Sequence, residues 1–170
     1  MPTILTHPVV ASLKTWFPSV PARAYAFGAI ATVLPDLDVI AFAAGIPYEH
    51  RFGHRGFSHS ILFAALVASL FTFFVRAPRL PAFTFLFLCA LSHPLLDAMT
   101  RGGGLGVAFF SPFSNVRYFF PWRPILVSPI GPRFFTPRGM ATLGSEMVWV
   151  WLPMLGVALL GKLVNQARKT

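Results

Sequence analysis

The chain has 170 residues, of which 55% are hydrophobic and only 11% are charged, and its mean hydropathy is +0.66. A soluble domain is usually about 25% charged, so this composition excludes a soluble protein and indicates an integral membrane protein. The net charge of +9 could suggest nucleic-acid binding, but the Lys and Arg residues are scattered between apolar segments. We therefore predict that these cations meet membrane lipids and no nucleic acid.

Four apolar stretches follow one another along the chain and predict membrane-embedded helices. They cover residues 22–34 (resuming at 39–46), 61–75, 80–96 and 147–164. A spanning helix needs about 20 apolar residues, so the shorter stretches require flanking residues or a thinner bilayer. None alternates polar and apolar residues, which argues against strands. The predicted fold is all-α, an integral membrane bundle of about four embedded helices with an N-terminal interfacial helix over 7–17.

A long segment between the third and fourth stretches, residues 101–145, is rich in Pro, Gly and aromatic residues. This composition predicts a cap without helix, whose aromatic side chains suit the headgroup layer. The chain length and the lack of a visible repeat predict one domain over residues 1–170, with 101–145 as its cap segment.

The ionisable residues fall at helix ends that antiparallel packing brings to one face of the membrane. They are Asp36, Asp38, His54, His59, His93, Asp97 and Glu146, and His7 joins them if the interfacial helix reverses before Pro21. Ionisable groups near membrane depth are costly and usually functional. We therefore predict one shared site at this face.

The spacing within this set suits metal ligands. His93 and Asp97 are four residues apart, so both side chains leave the same face of a helix. Asp36 and Asp38 follow Pro35, which is expected to end the first helix and to expose both carboxylates in a turn. Side chains arranged in this way can converge on a single ion.

Two imidazoles, His54 and His59, return on a glycine-containing loop before the second stretch. Arg55 between them could hold an anionic oxygen, and Ser58 or Ser60 could cap the following helix. Imidazole and carboxylate ligands together suit one or two divalent transition metal ions, zinc first, with manganese or iron as alternatives.

Each element also has a plainer interpretation. Asp36 and Asp38 could form a turn that faces water, and His59 could be an interfacial cap. His50 suits a solvated loop residue, and Glu146 suits an acidic group favoured by the dipole at a helix start. The hypothesis of a metal site rests on the whole set rather than on any single residue.

The strings LPDLD (34–38), FGHRGFSHS (52–60) and SHPLLDAMTRGG (92–103), with Thr6-His7 near the start, resemble the LexA-regulated inner-membrane metal-dependent hydrolase family. The resemblance runs from about residue 6 to 131 and is most specific in GHRGFSHS. It implies a hydrolase of the inner membrane without naming a substrate.

The order His, Asp, His, HxxxD is more distantly similar to the zinc-dependent phospholipase C and P1 nuclease group, which are helical enzymes with clustered zinc ions. That likeness implies as ligands His7, Asp36, His59 or His54, His93 and Asp97, with Asp97 bridging two metals. The chain lacks the later histidine pair and the HxxxE element of that group, since Glu146 has no histidine four residues before it. One or two metals are therefore expected rather than three.

The leading hypothesis is metal-assisted hydrolysis of a phosphoester in a lipid or lipid-linked substrate. Asp38 is the candidate for taking the proton of water, and Arg55 and Arg101 are the candidates for holding phosphoryl oxygens. The apolar walls and the cap would seat acyl or isoprenoid chains. A transporter of divalent metal or protons and a non-catalytic metal-stabilised scaffold are the alternatives.

The cations at the opposite end of the helices predict the orientation of a multi-pass inner-membrane protein. They are Arg23, Arg76, Arg79, Lys162, Arg168 and Lys169. The positive-inside rule places them in the cytoplasm and the metal site on the outer face. Many arginines also lie on the metal side, where substrate binding could explain them.

Overall fold

The computed structural model describes residues 1–129 and 131–168, and Lys169, one of the cations used above, lies outside the described residues. The described chain is mostly helical, which confirms the all-α membrane fold. The α-helices are α1 (Ala24–Val33), α2 (Ile40–Ala43), α3 (Ile61–Phe74), α4 (Arg79–Ala98), α5 (Pro137–Glu146) and α6 (Leu152–Ala167). Stretches long and apolar enough to cross a bilayer are Ala24–Ala43, Arg79–Ala98 and Pro137–Ala167, and α3 is a shorter apolar helix.

The N-terminal segment forms a 3-10 helix over His7–Trp16, where the interfacial helix is predicted. It packs against α1, α4 and α6. The indole nitrogen of Trp16 donates a hydrogen bond of 2.9 Å to the carbonyl oxygen of Val157 in α6. Gly161 allows this approach, since a Cβ there would lie 2.7 Å from the hydroxyl of Thr15. The helix is therefore part of the bundle and not a detached surface piece.

Small side chains are numerous in the buried core between α1, α3 and α4, where they surround the ring of Phe85, and partly buried phenylalanines pack around this core. Ala64, Ala68 and Ala82 are buried, and Phe85 has no exposed surface. A Cβ at Gly28 of α1 would lie 2.7 Å from the Phe85 ring, so only glycine fits there without a shift. Small residues let helices approach closely in lipid, where packing rather than hydrophobicity drives association. This packing fixes the ends of α1 and α4 relative to each other.

The chain does not turn away from the helical path at Pro35, contrary to the sequence-based expectation. Leu34–Val39 continue as a 3-10 helix, and α2 follows directly. Pro35 stands in the first turn, where its missing N–H removes no bond. The consequence is that Asp36 is buried, with 7% of its surface exposed, rather than presented to water.

The last membrane helix begins at Pro137, well before the predicted start at 147. Proline at the first helical position is well suited to start a helix. Past Glu146 the chain makes a π-helical turn over Met147–Trp151 and continues into α6 without a break. The prediction of a cap without helix is therefore wrong for residues 137–145, and Glu146 does not open the helix.

The buried face of α5 shows why a helix forms despite two glycines. Gly139, Thr142 and Glu146 are buried and are three and four residues apart, so they share one face. α5 also packs against the second of two short strands, β1 (Thr100–Arg101) and β2 (Ile125–Leu126), which pair in parallel, and the Ser145 hydroxyl accepts a hydrogen bond of 3.0 Å from the Leu126 N–H. Tertiary packing thus outweighs the low helix propensity of glycine.

Between β1 and α5 the cap contains β2 and a short 3-10 helix over Gly131–Phe135, where the prediction of a cap without helix is also wrong, and its remaining described residues are irregular, as predicted. Gly102, Gly103 and Gly104 all have positive φ, at 96°, 156° and 76°, which other residues adopt only with strain. The guanidinium of Arg117 donates hydrogen bonds to the carbonyl oxygens of His54 and Gly106. The cap is thereby anchored on the loop that precedes α3.

Candidate metal centre

Side chains from four parts of the chain meet at one end of the bundle. α4 contributes His93 and Asp97, one turn apart, and the 3-10 helix after α1 contributes Asp36. The turn before α3 contributes His59, and the start of the N-terminal helix contributes His7. All five are buried, and four of them have no exposed surface at all.

His59 and His93 are oriented so that each points one ring nitrogen at the same spot. The Nδ1 of His93 lies 2.6 Å from the carbonyl oxygen of Thr32, and the Nδ1 of His59 lies 3.1 Å from a carboxylate oxygen of Asp38. An Nδ1–H that donates to oxygen leaves a lone pair on Nε2. The two Nε2 atoms are 3.0 Å apart. Two lone pairs at this distance repel each other unless a proton or a cation lies between them.

Two carboxylates face these nitrogens. Asp36 Oδ1 lies 3.4 Å from His93 Nε2 and 3.9 Å from His59 Nε2. Asp97 Oδ2 lies 3.5 Å from His59 Nε2. Within the described residues, the carboxylate oxygens of Asp36 and Asp97 have no hydrogen-bond partner. Buried carboxylates without donors are unfavourable, and a cation bound between them relieves this cost.

His7 closes the site on a further side. Its ring stacks on that of His93, with centroids 3.9 Å apart and an angle of 17° between the planes. Both ring nitrogens are buried, and neither has a hydrogen-bond partner in the described part of the chain. A buried imidazole normally has at least one such partner. A metal ion would supply it here.

The charge state of the histidines follows from their surroundings. Burial alone would lower the pKa of His59, but contacts with the carboxylates of Asp38 and Asp97 raise the pKa to about 9. The pKa of His7 is held well below its usual value, first by burial and then by the charge of His93. A proton on His59 therefore supplies positive charge to the carboxylates, and a divalent cation would displace that proton.

Asp38 lies behind the ligands and orients two of the histidines. Its Oδ1 lies 2.7 Å from the Nδ1 of His54. Its Oδ2 accepts hydrogen bonds from the hydroxyl of Ser58 at 2.6 Å and from the backbone N–H of Arg55 at 3.1 Å. Together with the contact to His59, both of its oxygens are occupied. This carboxylate therefore holds side chains in place.

Arg55 is fixed at both its backbone and its side chain. Among the described residues it is the non-glycine residue with a positive φ, 61°, a conformation that costs about 1–3 kcal/mol. Its Nε forms an ion pair of 2.9 Å with Asp97, without hydrogen-bond geometry. Its Nη1 donates to the carbonyl oxygen of Leu105 at 2.8 Å, and its Nη2 donates to the Thr100 hydroxyl at 3.3 Å. It thereby compensates the charge of Asp97 at Oδ2, the same oxygen that lies 3.5 Å from His59 Nε2.

Comparison with known proteins assigns this chain to a family. The model of the YdjM inner membrane protein family matches residues 2–168. The chain belongs to that family. It is also 42% identical over 171 residues to inner membrane protein YbcI of Escherichia coli (strain K12), covering 96% of this chain and 97% of that protein. No solved structure matches the chain.

Membership of the YdjM family confirms an inner-membrane protein, as the sequence predicts, and its helices can span a membrane. Neither of the two protein descriptions names an activity or a cofactor. The hydrolase and phospholipase C parts of the sequence resemblance therefore stay predictions.

The structure of this YdjM-family chain brings all the predicted metal ligands together. They form three overlapping groups, His7 with His93 and Asp97, Asp36 with His59 and His93, and Asp38 with His54 and His59. Within each group the ligand atoms lie within 4.8 Å of one another. The first two groups share His93 and surround the orphaned carboxylate oxygens, whereas the third is held together by hydrogen bonds of its own. The first two groups are therefore the better candidates for ion ligands.

Three other residues singled out by the sequence have different surroundings. Arg101, predicted to hold a phosphoryl oxygen, has an exposed side chain on β1. His50 is also exposed, and its Nδ1 accepts a hydrogen bond from the backbone N–H of Phe52. Ser60, one of two predicted caps, caps α3 by accepting a hydrogen bond from Phe63 N–H.

A cavity of about 330 Å³ opens beside the cluster. Its lining includes Val39, Phe42, Tyr48, His54, Arg55, Gly103, Gly104 and Val127. The Nδ1 of His54 is held by Asp38, and no hydrogen bond within residues 1–129 and 131–168 uses its Nε2. The apolar side chains and the imidazole of His54 thus line the same cavity, which lies next to the candidate ligands.

Two contributors to the site escaped the sequence analysis. The carbonyl oxygen of Thr32 orients His93, and no side-chain pattern can reveal a backbone acceptor. Tyr48 borders the cavity and packs edge-on against His54, with ring centroids 5.2 Å apart. Its position in the loop just before the GHRGFSHS string was the available signal.

Proposed function

We propose that this chain is a membrane-bound, metal-dependent hydrolase that cleaves a phosphoester of a lipid or lipid-linked substrate. The main support is the convergence of the Nε2 atoms of His59 and His93 on carboxylate oxygens that lack donors. His7, Asp36 and Asp97 complete a donor set of nitrogen and oxygen that suits zinc, or manganese or iron, as one or two ions. When bound, such an ion lowers the pKa of water and polarises a phosphoryl oxygen.

In this proposal His54 moves a proton. Because Asp38 fixes its Nδ1 at 2.7 Å, its Nε2 can take a proton from the attacking water and return it to the leaving oxygen. Asp38 would stabilise the imidazolium formed in between. This assignment exchanges two roles expected from the sequence, in which Asp38 takes the proton and His54 binds metal. The reason is that both oxygens of Asp38 already accept hydrogen bonds.

The cavity supports an amphiphilic phosphoester as the substrate. Arg55 borders it, and Gly103 and Gly104 leave the backbone accessible to an anionic oxygen. Phe42 and Val127 form apolar wall on the same cavity. A phosphoryl group near the ligands and a hydrocarbon chain along the wall would use both kinds of lining. Arg101 has no place in this arrangement.

We also propose that the end of the bundle with the candidate metal ligands lies on the outer face of the membrane, away from the cytoplasm. Exposed cations mark the opposite end, and the positive-inside rule assigns that end to the cytoplasm. Accessibility can be tested with two single-cysteine reporters, Asn115→Cys in the cap and Gln166→Cys near the end of α6, because the native Cys89 is buried. An impermeant maleimide applied to spheroplasts should label the first alone. Labelling of the second alone would reverse the orientation.

The central test combines metal content with turnover on detergent-purified protein. Wild type should hold one or two equivalents of a transition metal and hydrolyse a p-nitrophenyl phosphodiester and a phospholipid in mixed micelles. His93→Ala should lose the metal and the activity, whereas His50→Ala, which changes an exposed histidine, should keep both. The assignment is wrong if His93→Ala retains them, or if metal-loaded wild type hydrolyses neither substrate.

The second candidate function is a non-catalytic protein in which the metal ion only stabilises the fold. The distribution of the candidate ligands along the chain supports this alternative. They come from four separate parts of the chain, so an ion would also tie these parts together. In that case removing the metal should lower the unfolding temperature, and metal-loaded protein should show no turnover. The same purified protein therefore decides between the two functions.

A further inference from the structure

Glu146 is a fully buried carboxylate at the junction between α5 and the π-helical turn. Its Oε1 accepts a hydrogen bond of 2.6 Å from the backbone N–H of Thr3. Its Oε2 accepts two more, of 2.6 Å each, from the hydroxyls of Thr3 and Thr6. Its interactions therefore go to the N-terminal segment of the chain.

Glu146 has no cationic side chain as a partner in the part of the chain that the structure describes. Each of the other buried acids, Asp36, Asp38 and Asp97, has a histidine or arginine nearby. Burying a carboxylate without a charged partner is unfavourable unless its hydrogen bonds are strong. The three short bonds from the segment that contains Thr3 and Thr6 meet that requirement.

The π-helical turn adds a second contact to the same segment. The indole N–H of Trp151 donates a hydrogen bond of 2.7 Å to the hydroxyl of Thr6. In a regular α-helix, residues five apart such as Glu146 and Trp151 would point about 140° away from each other. The wider π-helical turn brings both to one side, as such turns often do at functional sites. The long helix therefore holds Thr6 at two points.

Thr6 directly precedes His7, whose position depends on this segment. The His7 ring stacks on His93, but neither of its nitrogens has a hydrogen-bond partner in the described chain. Nothing in its own polar contacts fixes the ring in place. The backbone before it is fixed by the bond from Thr6 N–H to the Thr3 carbonyl oxygen, at 3.0 Å, and by Glu146.

We propose that Glu146 is a positioning residue for the metal centre, which acts by holding Thr3 and Thr6 so that His7 faces the ion beside His93. This inference rests on the proposed metal site, and it extends the set of residues that control metal affinity to a side chain that binds no metal itself. Residues that orient metal ligands in this way typically change affinity by 10- to 100-fold when mutated.

The first test compares Glu146→Ala with Glu49→Gln, which alters an exposed acid outside the site. Zinc affinity is measured by competition with a chromophoric chelator on detergent-purified protein. Glu146→Ala should bind zinc about 10- to 100-fold more weakly, and Glu49→Gln should match wild type. The visible spectrum of the cobalt-substituted protein should change in Glu146→Ala in the same way as in His7→Ala, because both lose the same ligand.

A double mutant separates positioning from general stability. If Glu146 acts through His7, adding Glu146→Ala to His7→Ala should cause no further loss of zinc affinity. A role in stability alone would lower the affinity by the same factor in either background. Additive losses would therefore overturn the inference.

Thr3→Val gives an independent version of the test should Glu146→Ala fail to fold. It removes one hydroxyl donor, keeps the backbone N–H bond, and should weaken zinc binding by a smaller factor, with the same change in the cobalt spectrum. Wild-type affinity and an unchanged spectrum in Thr3→Val would overturn the inference while leaving the proposed function intact. Failure of wild type to bind zinc or cobalt would instead overturn the proposed function.

Discussion

The two ends of the helical bundle differ in the sign and in the burial of their charged residues. The end away from the metal centre carries cations that are at least partly exposed, namely Lys14, Arg23, Arg76, Arg79, Lys162 and Arg168. None of the described acids lies there. The end with the candidate metal ligands, called the metal end below, contains all five acids. Four of them are buried or nearly buried, namely Asp36, Asp38, Asp97 and Glu146.

Burial rather than the number of charges therefore distinguishes the end with the candidate metal ligands from the opposite end, which is called the anchoring end below. Exposed cations need no partner, since water and lipid headgroups solvate them. Buried acids must be matched, and here each match fixes a geometry: Arg55 holds Asp97, and Asp38 holds His54 and His59. The predictions below test whether the two ends are as separate as this comparison implies.

The largest effect is expected from Asp97→Asn. It removes a candidate ligand and leaves the guanidinium of Arg55 buried without its counter-ion, which costs about 3–5 kcal/mol when one partner of a buried pair is lost. We expect loss of bound metal by mass spectrometry and a lower free energy of unfolding in detergent. Glu49→Gln should change neither quantity. Retention of wild-type metal content in Asp97→Asn would contradict the central place given to this carboxylate.

His54→Ala is expected to separate turnover from metal binding. Removing a group that moves protons typically lowers turnover by about 10²–10⁴-fold, while the ligands His59, His93 and Asp36 remain. Metal content by mass spectrometry should therefore equal that of wild type. Loss of metal together with activity would show instead that His54 is a ligand, as the sequence alone allows.

Replacement of a cap glycine should have a smaller effect at the same end. Gly104→Ala forces a φ of 76° on alanine, and the new Cβ would lie 3.1 Å from the Tyr48 hydroxyl. We expect a loss of roughly 1 kcal/mol in unfolding free energy and reduced turnover. Gly144→Ala is the matched control, because its Cβ has open space in a helix and should be neutral or stabilising. Equal effects of the two would contradict the account of the cap.

The smallest effect is expected at the anchoring end. Arg76→Gln and Arg79→Gln change exposed residues, and such substitutions usually alter stability by less than about 0.5 kcal/mol. Metal affinity and turnover of the purified double mutant should equal those of wild type. A change in metal affinity would show that the two ends are coupled through the bundle.

The sequence predicted well that the side chains of the candidate site converge at one end of the bundle. This convergence depends only on the order and length of the helices and not on atomic detail. Apolar stretches of helical length and short connections are enough to bring the ends of α1 and α4 and the loop before α3 to one face. The i, i+4 spacing of His93 and Asp97 then places both on one side of α4. These statements need no atomic detail.

The sequence could not predict which role each of these residues has in the candidate site. Whether Asp38 or His54 would face an ion depends on hydrogen bonds of 2.6, 2.7 and 3.1 Å, which no spacing rule resolves. The isolated acid Glu146 gave no hint of Thr3, because the two are 143 residues apart in sequence. The helical start at Pro137 was also missed: Pro137 is a local start signal, but the two glycines that follow within α5 argue against a helix, and the contact of α5 with β2 is not readable from sequence.

The continuous helix from Pro137 to Ala167 has a consequence for the depth of the candidate site in a bilayer. Its 31 residues extend about 46 Å, whereas the hydrocarbon layer is about 30 Å thick. Near the C-terminal end of this helix, the side chain of Asn165 donates a hydrogen bond to the carbonyl oxygen of Thr15 at the anchoring end of the bundle. The extra length of the helix therefore lies at the opposite end, where it forms α5. In a bilayer, this surplus length would bring the candidate site to the level of the headgroups. The thickness of the surrounding bilayer would then help to select which lipids can be reached.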